Sequence, residues 1–206
     1  MGQSIFARVR SVNVGGPGEL DCGGRVVLSA LRKSPVSGPV AVGRLGLSGD
    51  DQVDRKHHGG EGKAVYVFAW ENYAYWGQEL AHDLSVPGLF GENLTTEGLS
   101  ETQVRPGDRL NFGDLVLEVT QPRTPCYKLV TRLKAAPGFA RQFLQSGRTG
   151  FYARVLQTGM VCAGDQGVLE HGAGSGPTIA ELAVAKARKQ VVRQGPLGRL
   201  RSWIRW

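Results

Sequence analysis

The sequence contains no run of roughly 18 apolar residues, the length a membrane-spanning helix needs. Its N-terminal stretch, MGQSIFARVRSVNVGG, lacks the apolar core and small-residue cleavage site of a secretory signal. Gly2 imitates a myristoylation start, but Phe6 stands where Ser or Thr is required. Only three cysteines are present, Cys22, Cys126 and Cys162, too few and too scattered for a disulfide framework. These absences predict a cytoplasmic chain with free thiols. No C-x-x-C or H-x-x-x-H pair offers a zinc site, and adjacent His57 and His58 are poorly spaced for one. A Walker loop, a G-x-G-x-x-G fingerprint and any flavin or iron–sulfur motif are also missing.

Acidic residues are missing from one region. The stretch 186–206 holds seven basic residues and no acidic one, whereas the whole chain of 206 residues carries a net charge of +7. The body is therefore neutral, and a specific nucleic-acid partner is not expected.

Glycine and proline are plentiful, at 30 and 10 residues, which favours many short strands and turns over a helix bundle. IFARVRSVNV (5–14) alternates as an opening strand. GGRVVLSALRKSPVSGPVAV reads as strand, turn, strand, and AVYVFA as a further strand. In WENYAYWGQELA, Trp70, Tyr73, Trp76 and Leu80 share one helical face, with Gly77 a weak point. VRPGDRLNFGDLVLEVTQ reads as a hairpin, APGFARQFLQSG as a short helix, and GFYARVLQTGMVCAGDQGVLEH as strand, turn, strand. Asp108 and Asp165 follow glycines and suit turns. A Gly/Ser/Pro linker at 171–177 separates a main domain (1–170) from a short basic extension (178–206). Thr178 and Glu181 form a capping box for a helix whose stripe is Ile179, Leu182, Lys186 and Val191.

The stretch VTQPRTPCYKLV (119–130) concentrates the chemistry. Pro122 and Pro125 set their own φ and push Gln121 and Thr124 into extended conformations, so a helix is not expected through the stretch. The strand before it exits as a stiff segment that presents Cys126 near a barrel rim. Arg123 and Lys128 flank the thiol, and nearby cations favour a thiolate. A thiolate ligates a soft metal or attacks an electrophile, with His57 or His58 as a base in the second case. The bland reading, a buried inert thiol, suits Cys22 and Cys162, which lack such neighbours.

HHGGEGKAVYVFAWENYAYW, GLFGENLTTEGLSETQVRPGDRL and VTQPRTPCYKL, with GRTGFYARVLQTGMVCAGD after them, together resemble the MOSC (molybdenum cofactor sulfurase C-terminal) domain family, in particular its bacterial stand-alone branch. The likeness runs in order over about residues 5 to 170. It implies a mainly-β fold, a MOSC-type β-barrel with a few short helices and a short C-terminal helical tail. It implies binding of the molybdenum cofactor, with Cys126 as the protein ligand to the metal. The implied activity is reduction of N-hydroxylated compounds, of the hydroxylaminopurine or amidoxime type, to amines or amidines. The cofactor ends in a phosphate, for which Arg123, Lys128, Arg148 and Lys63 are candidate cations and the Gly59-Gly60 and Gly91 loops candidate close approaches. Asn93 is a candidate donor to the pterin or the substrate, His58 a candidate proton donor to the departing hydroxyl, and Glu92 is as readily structural. Electrons must then come from a separate reductase. The alternative within the family is a non-redox sulfur carrier or cofactor-holding domain.

Members of that branch usually end in a small three-helix extension, and the stretch after the linker is expected to be a shortened version, one helix and a basic stub. For PLGRLRSWIRW the favoured reading is a terminal helix packing Leu197, Leu200 and Ile204 on the barrel. Contact with a membrane and docking of an acidic electron donor rank second and third.

Overall fold

The structure, a computed structural model, describes residues 5–53, 59–172 and 176–193, with side chains up to Lys189. In order, the first half holds β1 (Ile5–Val14), β2 (Gly18–Asp21), β3 (Val26–Ser29), β4 (Ser34–Pro35), β5 (Val40–Gly43), β6 (Gly46–Leu47), a 3-10 turn (Glu61–Lys63), β7 (Val65–Ala69) and α1 (Glu71–Leu80). The second half holds β8 (Leu94–Glu97), β9 (Arg109–Phe112), β10 (Leu115–Pro122), α2 (Tyr127–Arg132), α3 (Phe139–Gln145), β11 (Phe151–Gln157), β12 (Gly159–Val161), β13 (Gln166–Glu170) and α4 (Ile179–Arg193).

Seven strands run side by side in the order β13-β9-β10-β11-β7-β8-β1, and β13 pairs again with β1 to close a barrel. The closing register sets Ile5 opposite Leu169 and Arg8 opposite Gln166. Closure leaves these strands no free edge. Neighbours are antiparallel except β7 and β8, which run parallel with Val67 opposite Leu94. A parallel pair needs a crossover, and α1 with the loop after it provides one. The strands β5, β6 and β12 form a small separate sheet, and β2 with β3 form a hairpin.

Strand period 2 explains the two apolar layers. Along β7, Val65 and Val67 face the barrel core, while Tyr66 and Phe68 join an outer aromatic layer with Tyr73, Trp76, Phe90 and Phe143. Both faces are buried, so β7 reads as a continuous apolar run with no polar alternation. On β11, Phe151 and Ala153 point inward and Tyr152 joins the outer layer. That outer layer, covered by α1, α2 and α3, supplies one wall of the pocket described below.

The mainly-β barrel expected from the sequence is the fold observed. The predicted opening strand, the β9–β10 hairpin, α1 and α3 are all present. Gly113, at φ +60, turns the hairpin between Phe112 and Leu115. Tyr73 and Trp76 bury the face of α1 as predicted, whereas Trp70 and Leu80 are only partly buried. Asp108 and Asp165 serve turns: Asp108 accepts the Arg105 and Gly172 N–H groups, and Asp165 accepts that of Cys162. The capping box is present, with Thr178 Oγ1 accepting the Glu181 N–H at 3.2 Å and Glu181 accepting the Thr178 N–H at 2.7 Å.

Three expectations need correction. A helix, α2, does enter the proline-framed stretch at Tyr127. Proline forbids the helix only on its N-terminal side, so one can begin just after Pro125. Next, β2 pairs with β3 as a hairpin of its own, which the strand–turn–strand reading did not separate. Finally, the buried stripe of α4 is Ile179, Ala183 and Ala187. Alanine adds little to an apolar pattern but lets the helix sit close: a Cβ on Gly147 would lie 3.1 Å from the Ala180 Cβ. The tail reading of Leu197, Leu200 and Ile204 lies outside the described residues.

Candidate functional site

One cleft of about 620 Å³, its open mouth included, gathers residues from seven separate parts of the chain. Its walls come from the segment after β3 (Ala30, Leu31, Lys33), the loop after β6 (Asp50, Gln52), the 3-10 turn (Lys63), β7 (Tyr66), the loop before β8 (Gly91, Asn93), the exit of β10 into α2 (Arg123, Cys126, Lys128) and β11 (Tyr152). The cleft lies against the outer aromatic layer and not in the barrel interior, since Tyr66, Tyr152 and Cys126 all belong to or pack on that layer.

Cys126 is held in extended geometry, φ −119° and ψ 168°, at the residue before α2. Its carbonyl accepts the Leu129 N–H at 3.0 Å, while its side chain makes no capping hydrogen bond. The backbone thus starts the helix, and the sulfur lines the cleft, where it is hydrogen-bonded to Arg123. All three cysteines lack a disulfide partner. Cys22 sits at the β2–β3 turn and Cys162 at the turn before β13, both outside the cleft.

Arg123 is 3% exposed. Its Nη1 donates to the Thr124 carbonyl at 3.0 Å and its guanidinium lies 5.0 Å from the centre of the Tyr66 ring. Burial alone would lower its pKa, but Tyr152, Tyr66 and the Cys126 thiol, which is hydrogen-bonded to it, hold the pKa above the ordinary arginine value. The charge persists, yet the buried Nε has no hydrogen-bond partner. A buried donor left unpaired costs roughly 1–3 kcal/mol.

A second charged group faces the same cleft. Lys33 and Asp50 form an ion pair with both side chains 7% exposed. Asp50 also accepts the Gly15 N–H at 2.9 Å and the Asn93 side-chain amide at 2.8 Å. Asn93 in turn accepts the Tyr66 N–H at 3.0 Å. Glu92 lies beneath, fully buried, accepting hydrogen bonds from Tyr73, Thr95 and the N–H groups of Gly88 and Phe90. It shapes the loop that carries Gly91 and Asn93. Gly91 has φ +80, and a Cβ there would meet Leu31 at 2.4 Å.

Of the residues singled out in the sequence, Cys126, Arg123, Lys128, Lys63 and Asn93 line this one cleft. The Lys128 ammonium donates to the Leu28 carbonyl at 3.3 Å, tying α2 to the β2–β3 hairpin. Asn93 spends its amide on Asp50, Asn13 and Tyr66, so it organises the wall. Arg148 is elsewhere: its guanidinium donates to Asn72 at 3.1 Å and stacks on Tyr75 at 4.9 Å, away from the cleft. It precedes β11, and its partners Asn72 and Tyr75 are both on α1. His58 lies outside the described residues. Sequence reasoning missed Lys33, Asp50, Tyr66 and Tyr152. Only the ring pattern of β7 and β11 carried a local signal for the two tyrosines.

Residues 54–167 match the family model of the MOSC domain. The chain belongs to the MOSC domain family. As a MOSC protein it is 39% identical over 156 residues to the uncharacterized protein YflK of Bacillus subtilis, covering 76% of this chain and 70% of that protein. It is 38% identical over 137 residues to YiiM of Escherichia coli, covering 66% of this chain and 61% of YiiM. A reductase of Gibberella moniliformis is 38% identical over 145 residues, covering 69% of this chain but only 26% of that protein. The crystal structure of YiiM from Geobacillus stearothermophilus superposes with a TM-score of 0.70 at 33% identity, covering 90% of both chains. The chain is therefore a YiiM-like MOSC protein.

MOSC domains are associated with the molybdenum cofactor, and the cleft suits such a group. Among the described residues no cluster of three or more His, Cys, Asp or Glu side chains is present that would cage a bare metal ion. One soft sulfur beside a buried cation with an unpaired N–H is instead a fit for a metal that arrives with its own sulfur ligands and an anionic tail. Cys126 would hold the metal, and Arg123, Lys63 and Lys128 would meet the anionic part. No described helix is long and apolar enough to cross a membrane.

Proposed function

We propose that this MOSC protein is an oxidoreductase that binds the molybdenum cofactor through Cys126 and reduces N-hydroxylated compounds to amines or amidines. The observation that carries the reading is the unpaired, buried Nε of Arg123 beside the Cys126 sulfur in the one cleft that collects five sequence candidates. The reductase relative and the family's association with the cofactor support it.

When bound, the cofactor supplies an electron pair and a Lewis-acid centre. The chain supplies the rest. Cys126 is a soft ligand whose extended backbone aims it at the cleft. Arg123 keeps its charge in a dry setting, where attraction to an anion is least screened. Gly91 lets Leu31 pack directly on the backbone of the loop that carries Asn93, since a Cβ there would lie 2.4 Å from the Leu31 side chain. Tyr66 and Tyr152 bring aromatic surface to the lining of the cleft, and Lys63 and Lys128 bring positive charge. A separate reductase delivers the electrons.

The test starts with protein purified from a molybdenum-replete host. Molybdenum and pterin in near one-to-one ratio with the chain, with benzamidoxime reduced to benzamidine under a reduced viologen dye, is the expected result. Cys126→Ala should lose the metal and the turnover while keeping the fold. Absence of molybdenum and pterin in the wild type would overturn the reading. Bound cofactor without N–O reduction would favour a cofactor-holding or sulfur-carrying domain.

A further inference from the structure

The Lys33–Asp50 pair has no part in the scheme above, yet it stands in the wall of the same cleft as Cys126 and Arg123. Removing two charges from water costs more than their attraction usually returns, so an apolar pair would serve packing as well or better. Here the carboxylate is fastened to the end of β1 through Gly15 and, through Asn93, to the N–H of Tyr66 on β7. The ammonium therefore rests on a support anchored in two barrel strands. Such fixed placement of a proton-bearing group in a pocket suits chemistry more than folding.

The charged groups acting on Lys33 come from three other elements: Asp50 after β6, Glu92 before β8 and Arg123 after β10. Asp51, Lys63 and Lys128 stand further around the cleft. Burial lowers the pKa of Lys33 most, Asp50 and Glu92 oppose this, and Arg123 adds to the lowering. An ammonium shifted in this direction is a better acid near neutral pH.

We propose that Lys33 is a catalytic residue that protonates the departing oxygen of the N-hydroxyl group, with Asp50 and Asn93 positioning it. This rests on the reading of the chain as an N-hydroxyl reductase. The overall change is R–NH–OH plus two electrons and two protons to R–NH2 plus water. The N–O bond breaks, and the oxygen keeps its own hydrogen, takes one proton from the Lys33 ammonium and leaves as water. The nitrogen receives the electron pair and one solvent proton. A low-potential one-electron donor, reduced viologen in the assay, supplies both electrons, and solvent returns the proton to Lys33. The same proton was expected of His58 from the sequence, and the structure provides a second donor already in the wall.

The experiment compares wild type with Lys33→Met, Lys33→Arg and Asp50→Asn, measuring molybdenum per chain, kcat and KM for benzamidoxime, and kcat against pH. Lys33→Met should hold wild-type molybdenum and lose about 100-fold or more in kcat, within the range for general acid catalysis. Lys33→Arg keeps the charge but cannot give up a proton, so it should stay as slow as the methionine variant. Asp50→Asn removes an influence that raises the Lys33 pKa, so the alkaline limb of kcat should move to lower pH. Full rate in Lys33→Arg would show an electrostatic anchor and overturn proton donation. So would a kcat within threefold of wild type in metal-replete Lys33→Met, or a loss matched entirely by lost molybdenum. If Lys33→Met does not fold, Lys33→Arg and the pH shift of Asp50→Asn decide the matter. Wild type without molybdenum or turnover would instead defeat the reductase reading and this inference with it.

Discussion

Replacing Arg123 with methionine separates a binding residue from a structural one, because the two roles move stability in different directions. In the cofactor-free protein the guanidinium is 3% exposed and its Nε is unpaired. That unpaired group costs roughly 1–3 kcal/mol. Methionine removes the cost and buries an apolar chain, gaining about 1.5–3 kcal/mol relative to exposure. Against this stand the lost bond to the Thr124 carbonyl, about 1.5–3 kcal/mol for a charged donor, the weaker hydrogen bond with the Cys126 thiol, about 0.5–1.5 kcal/mol, and the contact with the Tyr66 ring, about 0.5–2 kcal/mol. Thr124 is partly exposed, so water can take the place of the lost donor. The terms nearly cancel, and the cofactor-free variant should unfold within about 2–4 °C of wild type. Cofactor retention should behave differently. Loss of a charge-assisted bond to an anion costs about 1.5–3 kcal/mol, or roughly 10- to 150-fold in Kd. Thermal unfolding of the metal-free protein, with molybdenum and pterin content after extended dialysis, reads both. A fall of more than about 10 °C with the molybdenum content unchanged would refute the assignment, since that is what removing a purely structural buried partner should do.

Glu101 is buried and accepts the Asn72 side-chain amide and the Gly150 N–H, both on Oε1. Burial raises its pKa above 4.5, so the folded state holds the proton more tightly than the unfolded one. Its stabilising contribution is complete below about pH 4.5 and is lost as pH rises toward the raised value. Glu101→Gln keeps the Oε1 acceptor without the charge, so its stability relative to wild type should improve between pH 5 and pH 8 in urea unfolding; a flat or falling difference would contradict the sign. Thr178→Ala removes one half of the capping box of α4 and should cost about 1 kcal/mol, a fall in Tm of about 2–4 °C.

The strands, α1, the capping box and the odd frame around Cys126 were legible in the sequence because each is a local matter. Alternation, helical spacing and proline's fixed φ act within a few residues of themselves. The resemblance to MOSC domains then selected the fold and the metal-binding reading of Cys126. Only the tertiary structure decided which cations share a pocket with that sulfur. Arg123 and Arg148 look alike as basic residues beside turns, but one exits β10 into the cleft and the other stacks on Tyr75. Lys33 and Asp50 lie 17 residues apart in unremarkable segments, and neither periodicity nor spacing marks them. They meet because the sheet order sets β7, β8 and β1 side by side and lets Asn93 bridge Asp50 to Tyr66. Local backbone preferences write secondary structure into the sequence, whereas a buried ion pair is made by long-range strand register, which no short stretch contains.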